Sequence, residues 1–222
     1  MPFDLIIFDC DGVLIDSELL SVRADLACLA EDGIAVSADE ILERYTGISM
    51  AGMLADLEAR HGRSLPDFAR RHQQRLEAIF AAELRAIPGV TEMLDALEGE
   101  AKMCVASSGS PERLRHALSL VGLFERLQPN IFSATEVARG KPAPDLFLYA
   151  AHRMGVLPHR AVVIEDSVPG VAAAIAAGMT AIGFTGGSHC RRGHDSRLAA
   201  AGAAPVIERM AQLVPALARL QP

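Results

Sequence analysis

The run Leu5-Ile6-Ile7-Phe8 is unbroken by polar residues and is followed directly by Asp9, which is the pattern of a short strand buried on both faces of a parallel sheet. After Ser17 the spacing of apolar positions changes to three and four. Leu19, Val22, Leu26 and Leu29 recur at helical intervals, then Ile41, Leu42 and Tyr45, then Met50, Met53, Leu54 and Leu57, then Phe68, Leu76, Ile79, Phe80 and Leu84. No strand pattern interrupts this stretch, so residues 17–84 predict a block of helices that bury their own apolar faces as a cap. The expected tethers are Val13–Asp16 and Ala86–Gly89.

From Pro88 the two periods alternate. The pattern predicts a helix over 88–97, a strand over 103–106, a helix over 111–121, a short strand over 131–133 and a helix over 143–154. A strand over 161–164, a helix over 170–177 and a strand over 181–184 follow, with a last strand at Val206-Ile207 and a closing helix over 210–220. Repeated βα order implies an α/β fold: a parallel sheet with right-handed crossovers and helices on both faces.

Composition narrows the class of ligand. The 222 residues are half hydrophobic, enough for one large domain or one domain with a smaller insertion. Net charge is −7, and no basic run exceeds Arg70-Arg71 or Arg191-Arg192, so nucleic acid is not the expected partner. A small-molecule phosphate ester is, bound by a monomer or weak homodimer. No apolar run approaches about 18 residues, which predicts no membrane span. Cys10, Cys28, Cys104 and Cys190 lack paired spacing, and the apolar run after Asp4 is short for a signal peptide, so a reduced cytoplasmic setting is expected.

The chemistry collects at predicted strand ends. Asp9 and Asp11 are two apart in an extended segment, so both carboxylates face one side of the crevice beyond the sheet. One carboxylate there can attack phosphorus while the other handles a proton. Gly12 turns the chain away after them. Ser107-Ser108-Gly109-Ser110 precedes a helix opening at Pro111, which combines hydroxyls, free N–H groups and a helix N-terminus into an anion site; Ser110 is the expected cap. Lys141, one of only two lysines, is framed by Gly140 and Pro142. A point positive charge there offsets the repulsion between a phosphate and an aspartate. Glu165-Asp166-Ser167 ends another strand, where carboxylates either complete an oxygen cage for magnesium or cap the next helix.

Four motifs in this order, Asp9-Cys10-Asp11-Gly12-Val13-Leu14-Ile15-Asp16-Ser17-Glu18, Ser107-Ser108-Gly109, Gly140-Lys141-Pro142-Ala143-Pro144-Asp145 and Glu165-Asp166-Ser167, resemble the haloacid dehalogenase superfamily in its β-phosphoglucomutase-like phosphatase branch. The resemblance covers essentially the whole chain. It implies a Rossmann-like parallel-sheet core over 1–16 and 86–222 with an inserted small all-helical cap domain over 17–85. It implies that Asp9 is the nucleophile, Asp11 the general acid and base, and Ser107, Ser108 and Lys141 the phosphate-binding residues. Mg²⁺ would be held by Asp9, the backbone carbonyl of Asp11 and Asp166, with Glu165 supporting the site. The expected reaction is Mg²⁺-dependent hydrolysis of a small phosphorylated metabolite through an aspartyl phosphate.

Departures from the superfamily's other branches bear on the reaction. The metal-free dehalogenases lack a second aspartate, so Asp11 argues against them, and the absence of any lysine in 17–85 argues against a Schiff-base phosphonate hydrolase. Phosphoglucomutases use a histidine and an arginine where this chain has Ser21 and Met50, which favours a phosphatase of sugar or sugar-acid phosphates over a sugar phosphomutase. The segment Arg44-Tyr45-Thr46-Gly47-Ile48-Ser49 resembles the substrate loop, giving Arg44, Gly47 and Ser49 as expected contacts, with Arg23 a further one. In Gly186–Asp195, His189, Cys190 and His194 suggest zinc but lack an obvious fourth ligand, so a polar loop bordering the crevice is the preferred reading.

Overall fold

The computed structural model describes residues 1–220. Strand β1 (Leu5–Phe8) is followed by four helices, α1 (Glu18–Glu31), α2 (Ala38–Tyr45), α3 (Met50–His61) and α4 (Phe68–Glu83). Then come α5 (Val90–Leu97), β2 (Lys102–Ser107), α6 (Pro111–Leu120), the four-residue α7 (Phe124–Leu127), β3 (Ile131–Ser133) and α8 (Asp145–Met154). The chain continues through β4 (Ala161–Glu165), α9 (Val168–Ala176), β5 (Thr180–Phe184), α10 (His194–Ala200), β6 (Val206–Ile207) and α11 (Leu213–Leu217). The strand order is β3-β2-β1-β4-β5-β6, with every pair parallel.

Alternation along each central strand sorts the core into two layers. Ile6, Phe8, Val105, Val162, Ile164, Ile182 and Phe184 pack on the side of α5, α6 and α11. Leu5, Ile7, Cys104, Ala106, Val163 and Ala181 pack on the side of α8, α9 and α10. Both faces are covered, which is why these strands read as continuous apolar runs.

Helices α1–α4 fill the predicted insertion. They bury a cluster of their own, including Cys28, Leu29, Ile41, Met53, Leu57 and Phe68. Ala24, Leu76, Phe80 and Leu84 join the main core instead, so the block is seated on the sheet domain along α1 and α4. The two tethers pair through Ile87 N–H, which donates to Leu14 O at 2.9 Å, and beside them Asp16 N–H donates to Arg85 O at 3.0 Å.

Register carries the site. Phe8 lies opposite Val105 on one side and Ile164 on the other, so Asp9, Ala106 and Glu165 emerge at one level of the carboxyl edge. The expected closing helix over 210–220 divides into a 3₁₀ turn at Met210–Gln212 and α11. Pro215 accounts for this, because proline is tolerated only in the first turn of an α-helix.

Candidate active site

Lys141 is the hub of the charged cluster. Its ammonium donates to Asp9 Oδ1 at 2.7 Å, to Glu165 Oε1 at 2.5 Å and to the carbonyl of Ala106 at 3.3 Å. It lies 5.1 Å from the centre of the Phe147 ring. Its side chain is 1 % exposed, and burial alone would lower its pKa; the charges of Asp9 and Glu165 outweigh that and hold the ammonium above its ordinary value. Asp9 Oδ2 has no hydrogen-bond partner among the described residues, so one oxygen of this carboxylate is positioned and the other is unengaged.

Glu165 commits both oxygens, one to Lys141 and the other to the N–H and hydroxyl of Ser167 at 2.9 and 2.8 Å. Ser167 in turn accepts from Gly170 N–H at 3.0 Å, so the hydroxyl of Ser167 caps α9 and neither carboxylate does. Asp166 differs. It is 1 % exposed, yet its Oδ2 is buried without a hydrogen-bond partner. His189 Nε2 lies 2.9 Å away, but out of hydrogen-bond alignment.

One ligand atom each from Asp9, Glu165 and Asp166 lies within 4.8 Å of the others. Burial, and after it the neighbouring carboxylates, push Asp9 and Asp166 well above the ordinary carboxylate range, although Lys141 opposes this in both. A hard divalent cation is the group that suits such a set: oxygen donors only, crowded like charges and one orphaned carboxylate oxygen. Space is left for it by Gly12, which has φ +73°; a Cβ there would come within 1.9 Å of Asp166 Oδ2.

Asp11 is held apart from this cluster by Arg113. The guanidinium makes two parallel bonds to its carboxylate, at 2.6 and 2.8 Å, and Ser17 donates to Oδ1 at 2.5 Å. Burial raises the Asp11 pKa, but Arg113 and Ser17 together outweigh it and hold the carboxyl below its ordinary value. Ser17 gives up its cap for this contact: it makes no side-chain bond to the N-terminus of α1. Arg113 is a residue that the sequence reading did not select. Its signal is a cation in the first turn of α6, where the helix dipole disfavours positive charge. Arg113→Lys is expected to move the Asp11 carboxyl pKa upward in an NMR titration, because an ammonium cannot make the paired bonds that hold it low.

Of the expected phosphate contacts, Ser107 accepts from Gly109 N–H at 3.1 Å and donates to Asp11 at 3.4 Å. The hydroxyl of Ser108 donates to Gly47 O at 2.9 Å, tying the second strand's loop to the expected substrate loop. Ser110 caps α6, as expected. A cavity of about 280 Å³ contains Asp9, Asp11, Ser107, Ser108 and Gly47 in its wall. Arg44 and Ser49 are placed elsewhere. Arg44 is about half exposed and pairs with Asp56, and Ser49 accepts from Gly52 N–H to cap α3. Arg23 is also outside, paired with Glu83.

The loop over 186–195 does border the site. Ser188 donates to Asp16 from both its N–H and its hydroxyl, and His189 packs against Gly12 beside Asp166. Nitrogen and sulfur ligand atoms of His189, Cys190 and His194 fall within 4.8 Å of one another. Both nitrogens of His194 are already engaged, however, Nε2 with Asp166 O and Nδ1 with Arg197. The loop therefore supports the backbone of Asp166 rather than presenting a separate ligand set. All four cysteines are free thiols.

Comparison with known proteins agrees with this geometry. Residues 3–178 match the model of the haloacid dehalogenase-like hydrolases. The 6-phosphogluconate phosphatase of Escherichia coli K12 is 31% identical over 188 residues, which is 84% of each chain. A haloacid dehalogenase-like protein from Agrobacterium tumefaciens superimposes with a TM-score of 0.82 at 40% identity, covering 97% of this chain and 98% of its own. A hydrolase of the same family from Deinococcus radiodurans, solved with bound phosphate and sodium, has a TM-score of 0.76 at 38% identity over 98% of this chain and 96% of its own.

Proposed function

This chain belongs to the haloacid dehalogenase-like hydrolases, and we propose that it is a Mg²⁺-dependent phosphatase acting on a sugar or sugar-acid phosphate through an aspartyl phosphate on Asp9. The observation that carries this reading is the Lys141 hub, which fixes one Asp9 oxygen at 2.7 Å and leaves the other unengaged beside an orphaned Asp166 oxygen.

In this reading the phosphoryl group enters between Asp9 and the turn Ser107–Gly109, where a hydroxyl, backbone N–H groups and the Lys141 charge surround its oxygens. Asp9 attacks phosphorus, the bond to the ester oxygen breaks, and Asp11 supplies a proton to the departing alcohol. Water, deprotonated by Asp11, then splits the aspartyl phosphate and restores both carboxyls. Asp11 is held ionised in the structure by Arg113 and Ser17, so its acid step requires that clamp to relax as the phosphoryl group arrives. Asp9, Asp166 and the Asp11 carbonyl would hold the Mg²⁺, with Glu165 behind them. When bound, Mg²⁺ supplies charge neutralisation to the transferring oxygens. Helices α1–α4 act as the cap, and Ser108 contacts it at Gly47 O.

The related phosphatase of 6-phosphogluconate supports the substrate class. Inorganic phosphate release from a panel of sugar, sugar-acid and small organic phosphates is expected with Mg²⁺ and lost with excess EDTA. Release that survives EDTA would rule out the metal assignment. Conversion of one positional phosphate isomer into another without free phosphate would replace the phosphatase with a phosphomutase.

A further inference from the structure

The cavity that holds Asp9 and Asp11 is lined as well by polar atoms that these steps do not use. Asp25 on α1 and His72 on α4 are each 6 % exposed and interrupt apolar stripes, Val22 to Leu29 in one helix and Phe68 to Phe80 in the other. Asp25 Oδ1 and His72 Nε2 lie 3.1 Å apart. The contact misses hydrogen-bond alignment, and both atoms are buried without a partner. His116 on α6, from the sheet domain, adds a third buried and unpartnered atom, its Nε2. Burying a polar atom unpaired is costly, and three in the wall of one cavity point to partners that arrive with a ligand.

We propose that Asp25, His72 and His116 form a specificity subsite that reads hydroxyl groups on the carbon chain bearing the phosphate. This deepens the phosphatase reading and rests on it for the phosphate end of the ligand. A carboxylate only accepts, whereas an imidazole nitrogen donates or accepts according to its tautomer. A hydroxyl answers both at once, donating to Asp25 while accepting from His72. An alkyl chain would leave both atoms unpaired. His116, reaching the same cavity from α6, offers its nitrogen to a further hydroxyl along the chain. Val22, Met53 and Leu76 in the same wall cover the C–H surfaces of such a chain.

The test uses Asp9→Asn protein, so that binding is read without turnover, and calorimetry with two probes of equal length, glucitol 6-phosphate and hexyl phosphate. Glucitol 6-phosphate is expected to bind at least about tenfold more tightly, since a site built for hydroxyls rejects the chain that lacks them. Adding Asp25→Ala or His72→Phe is expected to remove that preference and to move hexyl phosphate by less than about twofold. Asp25→Asn, which keeps an acceptor oxygen, is expected to retain part of it and serves where the alanine variant does not fold. Equal affinity of the two probes overturns the subsite. Equal weakening of both probes in the variants also overturns it, because a mere tie between α1 and α4 would act that way. Phosphate release by the parent chain from p-nitrophenyl phosphate is scored separately and decides only the phosphatase reading.

Discussion

Asp9→Asn is expected to lower phosphate release by about 10⁴-fold or more, the scale on which removal of a nucleophile acts in enzymes that form covalent intermediates. The substitution keeps the shape of the side chain and an oxygen that still accepts from Lys141, now at 2.7 Å from Asp9 Oδ1. What it removes is the anionic oxygen that attacks. Stability is expected to hold or rise, because Asp9, Glu165 and Asp166 crowd three carboxyls within 4.8 Å and one buried like charge is thereby deleted. Phosphate release and thermal melting of the same preparation check both halves. Activity above about one hundredth of the parent's in a folded Asp9→Asn protein would remove Asp9 from its assigned role.

The sheet was legible because its strands are buried on both faces: Leu5–Phe8 and Ala161–Glu165 are apolar runs ending in acids, and such runs are visible without a structure. Ile131–Ser133 and Val206-Ile207 fell where expected. The four-residue α7 is too short to show a period, and α10 opens at His194 inside a polar stretch that reads as loop. The site divides in the same way. Asp9, Lys141 and Asp166 sit at strand ends or a proline-framed turn, so chain order locates them. Arg44 and Ser49 lie in the expected loop, but side-chain direction in a loop depends on tertiary partners, here Asp56 and the N-terminus of α3. Arg113 acquires its meaning only by meeting Asp11, 102 residues away. Asp25 and His72 left a fainter trace, as polar residues on apolar stripes.

Lys141→Met should separate the two duties of the charged hub. Activity is expected to fall by about 10³-fold, since the variant loses the cation that both orients Asp9 and faces the developing charge on phosphorus. Stability is expected to fall as well, by about 3–5 kcal/mol, because removing one member of a buried ionic set leaves the others uncompensated. Lys141 contacts both Asp9 and Glu165, whose side chains are 6 % and 0 % exposed. Asp9 already lies above the ordinary carboxylate range through burial, with Glu165 and Asp166 adding to it, and loss of Lys141 drives it further in that direction. A carboxyl whose folded pKa exceeds its unfolded value binds its proton more tightly when folded. Both proteins share the unfolded carboxyl, so the Asp9 part of the variant's deficit is expected to be absent below the parent's folded Asp9 pKa, to grow as pH rises from there to the variant's higher folded pKa, and to level off above it. Pairing Lys141→Met with Glu165→Gln deletes the opposing charge and is expected to recover most of the stability and little of the activity. That outcome, read from denaturant titrations beside phosphate release, assigns the ammonium to chemistry as well as to the fold. Recovery of both together would make Lys141 only a counter-ion for Glu165.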